Sequence, residues 1–377
     1  MAKLTMGEII GKSFNRTILI LFKPFSWKKW LLLLFIAFLA GAIGSGSGGG
    51  GSSRSRAKKA EAAEQQSVQV GDTASAEQAL KQESLIKAEK KTNLIAGFVD
   101  LILEKFHFKS RTIVYLLLGA GAFILLAFFV LLTWIVARFK FVWLNAILKN
   151  EASIARPFLE YKNQGHSLFK LFIILSLIST VLLGLLGFWV YSLGTSSGIF
   201  ASQQQWDLAQ VSKAIKIFGL PFIVLVIWII VMSIFYVYLD HFVVTIMAMD
   251  HCSFMPAWRK FCDIARQNTK DFFLFLLMLI ALGLGAIIAT GLISLIIMLA
   301  IMLLGLLLGG LLYLLVVLLL KAKLLFMVLS VIFGIPFVAV AIILLASVRL
   351  PFAVFFRNFS LYFLSNLDCG YKPLPLE

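Results

Sequence analysis

The chain of 377 residues is 61% hydrophobic and 14% charged, with a mean hydropathy of +0.97. Soluble domains carry about 25% charged residues, so this composition excludes a soluble globular protein and fits a polytopic helical membrane protein. The net charge of +16 would suit nucleic acid in a soluble chain, but no basic module of recognisable fold bears it. The bases gather at the ends of apolar segments, so no nucleic-acid partner is expected.

Residues 1 to 29 set Lys3, Lys12, Arg16, Lys23, Lys28 and Lys29 against a lone Glu8. Ile9, Ile10, Phe14, Ile18, Leu19 and Phe22 interleave with them at helical spacings, which predicts an amphipathic helix lying in the membrane interface. Pro24 breaks it. Ser26 can cap a first span reaching about Gly44, with Trp27 and Trp30 at headgroup depth beside Lys28 and Lys29. A cleaved leader over residues 1 to 45 is the rival reading, since Ala40-Gly41-Ala42 imitates a cleavage site; the region before the apolar run is too long and too greasy for a usual leader.

Residues 45–110 read as an extracytoplasmic loop that opens with a flexible Gly/Ser linker and continues, from Ser75 to about Phe108, as an amphipathic helix striped by Leu94, Phe98, Leu101, Ile102 and Phe106. The second span is Thr112 to Val136. Arg138, Lys140, Lys149, Arg156, Lys162 and Lys170 follow it, a basic density that marks the cytoplasm. The third span, near Leu168 to Leu193, ends in the weakly charged loop Gly194 to Gln205. The fourth runs from about Phe218 to Leu239, and Arg259, Lys260, Arg266 and Lys270 return the chain to the basic side.

Phe272 to Leu320 carries no charge, and the chain is apolar again from Leu324 to Val348. At about 20 apolar residues per crossing, this is enough for two or three crossings. Arg138-Phe139-Lys140, His241-Phe242-Val243 and Arg349-Leu350-Pro351 recur at corresponding places, and Pro157 and Pro256 with nearby aromatic and basic residues follow the first two. Such internal symmetry is common in membrane folds. It predicts three hairpins, hence an all-α fold of six spans with interfacial amphipathic helices, both termini cytoplasmic, and residues 300–323 either re-entrant or part of long tilted helices. The alternative is seven spans, which gives Lys321 and Lys323 a cytoplasmic home and removes Arg349, Arg357 and Lys372 from it. Cys252, Cys262 and Cys369 all fall on the predicted cytoplasmic side, where thiols stay reduced.

The run Phe355-Phe356-Arg357-Asn358-Phe359-Ser360-Leu361-Tyr362-Phe363-Leu364, followed by Tyr371 and Pro373, resembles the C-terminal signature of an uncharacterised family of prokaryotic multi-span membrane proteins. The hairpin pattern is more loosely similar to the membrane domain sometimes fused to glycerophosphodiester phosphodiesterases. The resemblance implies a six-helix membrane domain and no established activity, and no phosphodiesterase domain accompanies it.

Intramembrane chemistry usually announces itself by ionisable residues within spans. The predicted span centres hold only Thr133, Ser176, Ser179, Thr180, Ser233, Thr290 and Ser294, with the pairs Gly119/Gly121, Gly184/Gly187 and Gly283/Gly285. Packing between helices explains these most simply. Asp240, His241, Asp250, His251, Cys252, Cys262 and Asp263 gather metal-ligand types, but their spacing fits no zinc or transition-metal pattern, so neither metal nor cofactor is expected. His107 and His166 are isolated, and no nucleophile elbow, HExxH, P-loop or dinucleotide fingerprint is present. What stands out is a cytoplasmic collar of bases beside aromatics: Trp27, Lys28, Lys29, Trp30, Arg138, Arg156, Trp258, Arg259, Lys260, Arg349 and Arg357. Such a collar suits anionic lipid headgroups, with on the order of 1 kcal/mol per base. The expectation is a non-enzymatic scaffold of the cytoplasmic membrane that engages lipid or a protein partner. The alternative is a passive or lipid-type transporter with a route near Gly305 to Gly310.

Overall fold

Long charge-free runs rich in Leu, Ile, Phe and Ala form helices wherever no proline or turn interrupts them, and among the described residues every regular element is helical. The computed structural model describes residues 4–43, 111–196, 208–367 and 369–375, so the expected extracytoplasmic loop over 45–110 lies outside it. The elements are α1 (Met6–Phe22), α2 (Trp27–Leu39), α3 (Arg111–Lys149), α4 (Ala155–Glu160), α5 (Lys162–Ser196) and α6 (Leu208–Tyr238). A π turn (Leu239–Val243) leads into α7 (Val244–Met249), α8 (Phe254–Gln267) and α9 (Thr269–Tyr313). A second π segment (Leu314–Leu319) then precedes α10 (Lys323–Ser347) and α11 (Leu350–Asn366). Two compact units divide the chain, residues 1–49 with 132–377, and residues 50–131. Of the second unit only 111–131 is described, as the first half of α3.

Among the described residues, five helical stretches are long and apolar enough to cross a membrane: Tyr115–Lys149, Lys162–Ser196, Ile215–Met249, Thr269–Leu319 and Lys323–Asn366. The protein is therefore an all-helical membrane protein. α2 is not among the five. Its 13 residues span about 20 Å, short of a bilayer core of about 30 Å, and its expected continuation to Gly44 ends in the turn residues 40–43.

The buried core of the larger unit lies where helices end, not along their lengths. α1 opens with a capping box, in which the Thr5 hydroxyl accepts from the Glu8 N–H and the Glu8 carboxylate accepts from the Thr5 N–H at 2.7 Å. It buries Ile9, Ser13, Thr17, Ile20 and Leu21, one face at helical spacing, so it is docked on protein where the sequence suggested a helix lying only on lipid. Its partner is α11, which runs antiparallel. The Leu4 N–H donates to Asn366 Oδ1 at 2.7 Å, Asn366 Nδ2 donates to the Leu4 carbonyl at 3.0 Å, and Asn358 Nδ2 donates to Thr17 Oγ1 at 3.2 Å.

α11 also departs from its expected interfacial place. Residues 357 to 365 are all buried, the polar Arg357 and Asn358 among them hydrogen-bonded within the protein, and Phe359 and Phe363 enter a knot of rings. Phe275 of α9 lies 4.7 Å from Phe363, 4.9 Å from Phe242 and 5.2 Å from Phe359, centre to centre, within the range of favourable aromatic pairs.

Beyond this core α9 continues unbroken through the stretch 300–313 and, with its π segment, reaches Leu319, a length of about 76 Å at 1.5 Å per residue. The chain then turns through Lys321, whose φ is 51°, and comes back. Tyr313 meets Phe326 at 5.6 Å, a Cβ on Gly305 would stand 3.1 Å from the Phe337 ring, and Phe272 meets Phe363 at 5.5 Å. α10 and then α11 thus retrace α9 in register. Between Phe272 and Val348 the described chain reverses once.

The upper parts of the long helices are exposed and apolar, for example Leu177 at 64%, Phe222 at 64% and Leu306 at 70%. Such side chains suit lipid, which is as apolar as they are. Among the described residues, the glycines expected to mediate helix packing have open space around them: a Cβ at Gly119, Gly121, Gly184, Gly187, Gly283 or Gly285 would meet nothing within 4 Å. The hydroxyls turn onto their own helices, Thr180 donating to the Ser176 carbonyl at 2.8 Å and Thr290 to that of Ala286 at 2.7 Å, a local bond that leaves no polar group facing lipid.

Candidate membrane-interface site

The expected collar separates into two layers. In the lower one, α2 lies beside the end of α3: Lys29 donates to Asn150 Oδ1 at 2.8 Å, and Arg16 donates to the carbonyls of Ile147 and Leu148, both at 3.1 Å. These carbonyls belong to the last turn of α3, whose acceptors have no partner within the helix. Trp27, 68% exposed, and Lys28 face outward. Trp30 is half-buried and its indole nitrogen has no acceptor among the described residues. Arg156 on α4 and Arg259 on α8 are exposed, and Trp258 tucks its ring against Phe235, Phe254 and Phe261 at 5.1–5.8 Å.

Lys260 is exposed but engaged. Its amine donates to Asp250 Oδ2 at 2.6 Å, and the Tyr371 hydroxyl donates to the same oxygen at 2.5 Å, clasping the C-terminal tail. Burial works against the Asp250 carboxylate, yet these two donors outweigh it and hold its pKa below the usual range. Burial first, and then the carboxylate it faces, push the Tyr371 phenol up to about 12. The tail is fastened further by the Leu374 N–H, which donates to Ser365 Oγ at 3.0 Å.

Two links repeat in this layer. α3 leaves its last turn through Asn150 (φ 56°) and α7 through His251 (φ 47°), the left-handed conformation that favours Gly or Asn. Phe141 stacks on Tyr161 at 5.6 Å and 16°, and Phe242 on Phe261 at 6.0 Å and 13°. Tyr161 stacks in turn on His251 at 5.8 Å.

The upper layer sits about ten residues higher, where the charge-free spans begin. Lys140 pairs with Asp240 at 2.6 Å, with side-chain exposures of 13% and 30%. Asp240 and His241 occupy the π turn, a backbone irregularity that leaves carbonyls without their usual α-helical partners. Arg357, only 3% exposed, donates to the Asp240 carbonyl and, at 3.3 Å, to Thr245 Oγ1. The family-like signature residue Arg357 is therefore an internal tie to the π turn and is not presented to headgroups. Arg349, at the start of α11, is exposed. Arg138 is 9% exposed and faces two aromatic rings.

The metal-ligand types singled out in the sequence do not converge. Asp240 is paired with Lys140, Asp263 is exposed on α8, and among the described residues no three of His, Cys, Asp or Glu come together to hold a metal. Cys252, Cys262 and Cys369 form no disulfide, Cys369 Sγ donates to the Leu364 carbonyl at 3.7 Å, and burial pushes the Cys252 thiol up. Lys140 was not singled out by sequence reading. Its spacing of two from Arg138, beside a recurring aromatic, was the available signal.

A family model described as "Family of unknown function (DUF7544)" matches residues 6–374. No curated protein and no solved structure matches the chain.

Proposed function

We propose that this chain, which belongs to DUF7544, a family of unknown function, is a non-enzymatic scaffold of a prokaryotic cytoplasmic membrane. Its lower layer grips anionic headgroups of the inner leaflet. Both termini are cytoplasmic, the long helices pair as hairpins, and α2 opens the first of six crossings. The observation that carries this reading is the segregation within the larger unit. Exposed Trp27, Lys28, Arg156 and Arg259 cluster at the end that holds the buried core, while the helices beyond it expose apolar side chains. The paired left-handed turns at Asn150 and His251, each following an aromatic stack, support a repeated hairpin unit. Charge-free lengths support the same placement of the bilayer. Lys216 to Asp240 encloses 23 residues and Lys323 to Arg349 encloses 25, about 35 to 38 Å, matching a bilayer core with modest tilt.

The test is association of the reconstituted full chain with anionic lipid. At on the order of 1 kcal/mol per base, the triple variant Lys28→Gln, Arg156→Gln, Arg259→Gln should retain phosphatidylglycerol about 100-fold less than the parent at low salt. That difference should shrink at high salt, because exposed charges are screened. Equal retention by parent and variant would remove the headgroup role.

A further inference from the structure

Arg138 is a largely buried cation that, among the described residues, has no counter-charge. Its guanidinium carbon lies 4.4 Å from the centre of the Trp134 ring and 4.8 Å from that of Phe158. α5 closes over the stem of the same side chain: a Cβ on Gly165 would stand 2.8 Å from Arg138 Cγ, so only glycine lets the helix pass. The residue is 9% exposed, its Nε is out of contact with solvent, and among the described residues no carboxylate, carbonyl or hydroxyl accepts from it. Gln164, next to Gly165 in the chain and 5% exposed, is a second buried polar side chain, and among the described residues its oxygen has no partner.

Ring faces attract a cation. Trp134 and Phe158 stand nearly perpendicular, at 83° and 5.9 Å centre to centre, so the planar guanidinium can lie flat on only one of them, and neither ring offers the full acceptors that its five N–H donors require. Buried charge is ordinarily paired, and the fork of an arginine matches the two oxygens of a phosphate. The site lies at the foot of α3's charge-free run, level with the neighbouring Lys140–Asp240 pair, at the edge of the proposed bilayer core and above the lower layer of the collar. Above it α5 exposes Ile174, Leu177 and Ile178.

We propose that Arg138, held between Trp134 and Phe158, anchors the phosphate of one membrane phospholipid, whose acyl chains lie against α5. This deepens the proposed lipid role and rests on it for the placement of the bilayer. It differs from the exposed collar in being a single enclosed site.

The test uses the purified, delipidated full chain in neutral detergent, titrated with phosphatidylglycerol, with diacylglycerol, which lacks phosphate, and with inorganic phosphate alone. Bound lipid is counted by native mass spectrometry and stability followed by thermal shift. Phosphatidylglycerol should bind the parent at one tight site, Arg138→Gln should weaken that site about 30-fold, and Arg138→Lys, which keeps charge and loses the fork, should fall between. Removing an unpaired buried charge does not endanger the fold, so the lipid-free Arg138→Gln protein should melt no lower than the parent. Binding should persist from 0.1 to 0.5 M salt, about the range over which the exposed collar is screened, and Arg138→Gln should leave the collar's salt-sensitive association intact. Failure of the two ideas is thereby told apart. Unchanged lipid retention in Arg138→Gln, equal binding of diacylglycerol, or the same Arg138-dependent shift with inorganic phosphate alone would each overturn the assignment.

Discussion

Replacing Phe275 by Ala removes the ring around which α9, the π turn and α11 meet. Phe275 is fully buried and its ring stands 4.7 Å from Phe363, 4.9 Å from Phe242, 5.2 Å from Phe359 and 6.1 Å from His241. Large-to-small changes at such sites cost about 3–5 kcal/mol, more when the surroundings cannot collapse. Here the neighbours sit on two other segments, the π turn and α11, and closing the void would require shifting helices, so the upper part of that range is expected. Leu306→Ala is the control, since its side chain is 70% exposed on the apolar hairpin and has little packing to lose, an expected change within about 0.5 kcal/mol. Denaturant unfolding of both variants in the same detergent, followed by circular dichroism, reads the difference. A Phe275→Ala cost below about 1 kcal/mol, or a Leu306→Ala cost equal to it, would refute the view that the fold is held at one end and not along its spans.

Lys140→Met leaves Asp240 facing apolar neighbours, and a loss of about 2 kcal/mol is expected, below the 3–5 of a fully buried broken pair because Asp240 keeps 30% exposure. The double variant with Asp240→Asn should recover more than half of it in a denaturant cycle. Gly165→Ala forces a Cβ to within 2.8 Å of Arg138 Cγ and should lower stability by about 1–3 kcal/mol. Gly119→Ala, with open space around it, should instead leave melting unchanged or raise it through helix propensity. The tail clasp should depend on pH at both extremes. Asp250 has a folded pKa below its ordinary value, so its contribution is present near neutrality and disappears as pH falls through the folded value. Tyr371 stays protonated to about 12 when folded and ionises near 10 when released, so the clasp weakens as pH rises from 10 to 12. Limited proteolysis of the tail should follow this profile, and Tyr371→Phe should flatten its alkaline limb.

Much of the helical skeleton is legible in the chain. Charge-free runs bounded by Lys, Arg and Asp locate the apolar parts of α3, α5 and α6, because hydropathy is a sum over many side chains and tolerates local exceptions, but the helices run past them: α3 continues to Lys149 beyond the expected end at Val136, and α6 starts at Leu208, ahead of Phe218. Hydropathy does not separate residues that face lipid from residues that face protein, since both are apolar. This is why the Gly and Ser positions along the spans read as packing sites, whereas no neighbour touches those glycines. The same ambiguity hid α11. Phe355 to Phe359 with Arg357 has the letters of an interfacial collar, yet Arg357 lies inside because the π turn at Asp240 exposes a carbonyl to it. That carbonyl arises from a backbone irregularity 117 residues away, and local pattern carries no trace of it.

The central claim places the core-bearing end in the cytoplasm and the tip of the α9–α10 hairpin on the opposite face. Single cysteines at Lys321 and Lys372, in a chain whose Cys252, Cys262 and Cys369 are replaced by Ser, can be labelled with a membrane-impermeant maleimide in intact cells and in inverted vesicles. The account predicts that position 321 reacts in intact cells and position 372 in inverted vesicles. Reaction of both from the same side would contradict it.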